Sequence, residues 1–177
     1  MNQGADLQDV ANHEASHAVA WWWWVNQPGG VDDSTGGTFE YGRLTMGEFD
    51  PGVDWPLLKA GLGRVEEAYW QGFEHHVMTG LAGPISDGLL GREVAESGTD
   101  LAEVWERLEQ VFYPDEQDAL DQMAVYLRDT RDFLESTSTK MMVAEVAFAL
   151  LARKSLTSDE AVALMERVVD ENQLWAI

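Results

Sequence analysis

His13 and His17 stand four residues apart and bracket a glutamate in the run His13-Glu14-Ala15-Ser16-His17. A helix turns once in about 3.6 residues, so side chains at i and i+4 share a face. Their Cβ atoms are then roughly 6 Å apart, and both imidazoles can reach one tetrahedral ion at about 2.0–2.1 Å. Glu14 follows the first histidine directly, so its carboxylate projects beside such an ion without having to ligate it. This is the H-E-x-x-H pattern of zinc hydrolases, in which the glutamate acts as general base on a metal-activated water. A surface helix carrying two histidines and a glutamate would give the same short pattern. The flanking Ala15, Ser16, Ala18, Val19 and Ala20 favour a helix that others can approach closely, as a buried metal helix requires.

A zinc site of this kind needs a third ligand from downstream. The chain has four histidines and no cysteine, so that ligand is His75, His76 or a carboxylate. His75 and His76 are adjacent and face different sides of one helix, and one packed with one exposed is the ordinary expectation. Asp100 stands at a loop-to-helix junction after Glu96-Ser97-Gly98-Thr99. A junction can hold an acid rigidly and aim it at an ion, but acids at helix starts are also ordinary caps. Spacing alone leaves these candidates open.

The elements that must position these groups are mostly helical. The first helix is expected from about Leu7 to Val25, capped by Asp6, with Asp9 at the positive end of its dipole. It runs into Trp21-Trp22-Trp23-Trp24, which cover every side of a helix. Some of these rings pack in the core, with one or two partly exposed, or they form a substrate-groove wall or an oligomer contact. Asn26-Gln27-Pro28-Gly29-Gly30 ends the helix. Gly37–Gly42 and Arg43–Met46 look like two short strands around a Gly turn, a small β-ribbon whose edge could bind an extended peptide. Helical patterning resumes from about Trp55 to Thr79. Pro84 suits the first turn of a new short helix, roughly Ile85 to Leu90. Further helices are expected at about 101–112, with Thr99 as cap, and at 116–134, 138–154 and 158–171, the last opened by Thr157-Ser158-Asp159-Glu160.

Composition bounds the rest. A chain of 177 residues, 45% of them hydrophobic, is expected to form a single domain with a real core, spanning 1–177. The formal charge is −21, from 32 acidic and 11 basic residues, which argues against nucleic acid and anionic membrane surfaces as partners. The longest apolar run, Ala18 to Val25, falls well short of the ~20 residues of a membrane span. No basic region precedes it, so no secretory signal is expected. With cysteine absent, a reducing, cytoplasmic setting is expected.

Four stretches in order resemble FtsH-type zinc metallopeptidase domains. His13-Glu14-Ala15-Ser16-His17-Ala18-Val19 resembles the family's His-Glu-Ala-Gly-His-Ala motif. Gly80-Leu81-Ala82-Gly83 through Asp87 to Leu90-Gly91 resembles its Gly-Gly-Arg-Ala-Ala-Glu-Glu segment. Ser97-Gly98-Thr99-Asp100-Leu101 resembles its Gly-Ala-x-Asn-Asp-Leu, whose Asp is the third zinc ligand. Ala149 through Thr157 resembles its closing helix–turn–helix. The chain departs from the family at Ser16, at Pro84-Ile85-Ser86-Asp87, and in the tryptophan run. It lacks the phosphate-binding loop of the ATPase module that accompanies the family's protease domain.

The resemblance and the periodicity both imply a mainly α fold, six or seven helices with a small two-stranded β-ribbon. The resemblance implies a metalloendopeptidase domain in which His13, His17 and Asp100 bind Zn²⁺ and Glu14 is the base, and the missing phosphate-binding loop makes a stand-alone domain the expectation. Asp87 is a candidate for orienting a histidine. Substrates would be peptides or unfolded chains, since nothing in the sequence could unfold them. The chain is compatible with a homo-oligomer and with a separate ATPase partner. The rival reading is a peptidase-like metal-binding domain that serves as a protein-interaction module without useful turnover.

Overall fold

The computed structural model describes residues 3–26, 43–45, 48–50, 67–92 and 97–172, and these form six helices and three short strands. The helices are α1 (Gln3–Asn26), α2 (Glu67–Leu89), α3 (Ser97–Phe112), α4 (Glu116–Glu135), α5 (Thr137–Arg153) and α6 (Ser158–Asn172). The strands are β1 (Arg43–Thr45), β2 (Glu48–Asp50) and β3 (Ser155–Leu156). The mainly helical class expected from the periodicity is what the chain adopts.

α1 is the central element. Ala11, Ala15, Ala18, Val19, Ala20, Trp21 and Trp22 on it are all buried. No single apolar stripe marks it, because it is covered from several sides: α2 packs on it, and so do α5 and the small sheet. The core accordingly has two main bodies. One joins α1 to α5 and α6 through Val19, Trp21, Met142, Val146, Leu150, Met165 and their neighbours. The other joins α2, α3 and α4 through Phe73, Val77, Leu81, Val104, Leu108 and Tyr126. Ala20, Ala82 and Leu134 close the seam between them. The two alanines are small enough to let α1 and α2 pack closely, and Leu134 of α4 covers the place where they meet. Of the tryptophan run, Trp21 and Trp22 are buried. Trp23 and Trp24 are partly buried against Phe133, and Trp24 stacks on His75 with ring centroids 5.7 Å apart.

Local chemistry sets the later boundaries. Asp115 caps α4 by accepting from the backbone N–H of Asp118. Ser136 ends α4 and also caps α5, its hydroxyl accepting from the Thr139 N–H at 3.2 Å. Lys154 takes a left-handed conformation (φ 68°) to close α5. Thr157 and Glu160 form a reciprocal capping box at α6, with Thr157 N–H donating to Glu160 Oε2 at 2.9 Å and Glu160 N–H to Thr157 Oγ1 at 3.3 Å.

Four expectations need correction or qualification. Pro84 does not start a new helix; it lies inside α2, which continues to Leu89. An interior proline costs about 3 kcal/mol in an isolated helix. Here Leu81, Ala82, Ser86 and Asp87 on both sides of it are buried, and that packing outweighs the local penalty. Thr99 does not cap α3, because the helix begins at Ser97 and Thr99 and Asp100 fall in its first turns. Of the expected ribbon only the strand at 43–46 is seen among the described residues, as β1; it pairs with β2 and β3, neither of them expected, in the order β2-β1-β3, all antiparallel, with Leu44 opposite both Phe49 and Leu156. Its expected first strand at 37–42 lies outside the described residues, as does the segment 55–66. No helix among the described residues is long and apolar enough to cross a membrane.

Candidate metal centre

α1 and α2 run alongside each other, and the face of α2 that meets the two histidines repeats every four residues: Thr79, Gly83, Asp87. His13 Nδ1 lies 2.7 Å from Asp87 Oδ2, and His17 Nδ1 lies 2.7 Å from the Thr79 carbonyl oxygen. A carbonyl only accepts, so the His17 hydrogen sits on Nδ1. The Asp87 carboxylate likewise draws the His13 hydrogen to Nδ1. With Nδ1 so engaged, each ring can present an Nε2 lone pair to an ion.

The two Nε2 atoms are 3.1 Å apart. Asp100, from the first turn of α3, brings Oδ2 to 3.0 Å from His13 Nε2 and 3.5 Å from His17 Nε2. Three lone-pair donors thus converge, each within 4.8 Å of the others. Acceptors do not attract one another, so such a group needs a positive charge among them. A tetrahedral ion with bonds of about 2.0–2.1 Å spaces its ligand atoms roughly 3.3–3.4 Å apart, close to the separations found here.

Without an ion, a proton serves. Burial alone would lower the pKa of His13, but the hydrogen-bonded carboxylates of Asp100 and Asp87 outweigh it and raise it from 6.5 to about 10. Burial would raise Asp100; the bonds to His13 and His17 instead hold it at about 2. Each shift says that the pocket stabilises positive charge beside Asp100.

His13, Glu14 and His17 are buried, and the Asp100 side chain is 25% exposed, so Asp100 forms the solvent edge of the centre. An acid in the first turn of α3 also meets the positive end of that helix dipole. Arg92, just past α2, pairs with Asp9 one turn before His13 at 2.6 Å, and its N–H donates to the Asp87 carbonyl at 2.9 Å. That ties the end of α2 to α1 beside the site.

The structure therefore brings His13, His17 and Asp100 together, sets Asp87 behind His13, and keeps Glu14 buried next in sequence to His13. It does not bring His75 or His76 into the group. His75 is buried against Trp24, and burial pushes its pKa down to about 4. Burial and then Arg107 push His76 down to about 3. The Thr79 carbonyl went unread in the sequence, because a backbone oxygen carries no residue signature. The chain matches no protein-family model and no curated protein sequence.

Proposed function

We propose that this chain is a zinc-dependent metallopeptidase domain of FtsH type that hydrolyses peptide bonds in unfolded or flexible chains. The observation that carries the reading is the convergence of His13 Nε2, His17 Nε2 and Asp100 Oδ2, with the opposite nitrogen of each ring already bonded. The donor set is two imidazoles and a carboxylate, which suits zinc and leaves a fourth tetrahedral position. The mainly helical fold around an H-E-x-x-H helix is compatible with the resemblance.

His13, His17 and Asp100 would hold the ion, which when bound supplies Lewis-acid polarisation of a carbonyl and acidifies water. Glu14 would take the proton from the attacking water on a carboxylate oxygen and return it to the departing amine nitrogen. Asp87 and the Thr79 carbonyl keep the two rings from rotating while this happens. Substrates that are already unfolded, a separate ATPase partner and a cytoplasmic setting belong to the same reading.

The test is cleavage of casein with and without chelator, alongside Glu14→Gln. Cleavage should vanish with chelator and return with zinc. Glu14→Gln should keep zinc and lose turnover by about 10²–10⁴-fold. Near-normal turnover in that variant would sink the mechanism. No cleavage at all would favour the interaction-module reading, and chelator-insensitive cleavage would contradict the metal mechanism.

A further inference from the structure

Gly80, Gly83 and Gly88 lie on α2 in different surroundings. A Cβ built on Gly88 meets nothing within 4 Å, and one on Gly80 would stand 2.7 Å from Val104 Cγ2 of α3. A Cβ on Gly83 would stand 2.6 Å from both Cε1 and Nε2 of His13, and closer still to Nε2 of His17. It would meet the ring tips, at the same atoms that face Asp100. Zinc–nitrogen bonds are about 2.0–2.1 Å long, so a methyl this near both Nε2 atoms occupies volume that a shared ion needs.

The rings have no easy retreat. His13 is held through Nδ1 by Asp87, and His17 through Nδ1 by the Thr79 carbonyl. Both holding groups belong to α2, one turn to either side of residue 83. The helix that clamps the two imidazoles must therefore be bare between its clamps. We propose that Gly83 is a positioning residue of the His13–His17–Asp100 centre: its missing side chain lets both rings dock on α2 with their Nε2 atoms converging and keeps the ion's volume open. This inference rests on the metal reading above.

Alanine is the better helix former, so Gly83→Ala should harm the site rather than the helix. Zinc affinity is measured by competition with a chromophoric chelator for the unaltered chain, Gly83→Ala and Gly88→Ala, with helical content followed by circular dichroism in chelator. Gly83→Ala should bind zinc more weakly by about 100-fold or more, beyond the effect of losing one orienting partner, while Gly88→Ala binds as the unaltered chain does. Equal zinc affinity in Gly83→Ala and the unaltered chain would overturn the inference and leave the metal reading standing. Absence of zinc from the unaltered chain would overturn the metal reading and this inference with it.

A second measurement covers the case in which Gly83→Ala folds poorly. With both rings removed in His13→Ala/His17→Ala, adding Gly83→Ala should raise the thermal midpoint, whereas in the histidine-bearing chain it should lower it. The same shift in both backgrounds would show that the rings and residue 83 do not collide, and the proposal would fail.

Discussion

A histidine offers Nε2 to an ion when its Nδ1 hydrogen is engaged elsewhere. His13 spends it on a buried carboxylate and His17 on a backbone carbonyl, and the two solutions differ in consequence. Asp87 adds a negative charge that raises the basicity of the His13 ring, while the Thr79 carbonyl orients its partner without adding a charge. Asp87→Asn keeps the shape and an acceptor oxygen but removes the charge. It should weaken zinc binding about 10–100-fold, read by chelator competition; unchanged affinity would show that Asp87 serves packing alone. His13, Glu14 and His17 were legible because their spacing maps directly onto one helix turn. Asp100 was one candidate among three until the resemblance singled it out. Asp87 was legible only as a candidate, and the Thr79 carbonyl was not legible at all.

The helices from residue 116 onward follow their sequence signals closely, because Asp115, Ser136, Thr157 and Glu160 each satisfy a specific orphan backbone group. α2 escaped that logic: Pro84 is a strong local signal, and burial on both sides of it overrode it. β3 escaped too, since a two-residue strand carries no alternation and its partner Leu44 lies far away in sequence. α2 also makes a prediction of its own. His75 and His76 are neutral when folded, with pKa values near 4 and 3, and must take up protons below about 6.5 once unfolded. The unfolded state binds more protons in that interval, so their contribution to stability is complete above about pH 6.5 and falls as the pH drops toward 4. The slope approaches about 1.4 kcal/mol per pH unit per histidine. Urea midpoints measured in chelator from pH 7 to 5 should fall less steeply for His75→Gln than for the unaltered chain, and equal slopes would contradict the burial argument.

Across the molecule, the centre is a long-range construction. His13 and Asp100 are separated by 87 positions, and α1, α2 and α3 must all be in register for their atoms to meet. α1 supplies the two imidazoles, α2 the groups that aim them, and α3 the carboxylate at the solvent edge. The core seams that lock α1 to α2 and α2 to α3 are thus also what sets the donor separations. Zinc content of the purified protein, measured for the unaltered chain, Asp100→Ala, His75→Ala and His76→Ala, probes this most directly. The account predicts stoichiometric, tight zinc in the unaltered chain and in both histidine variants, and its loss in Asp100→Ala. Tight stoichiometric zinc in Asp100→Ala, or its loss in either histidine variant, would contradict it.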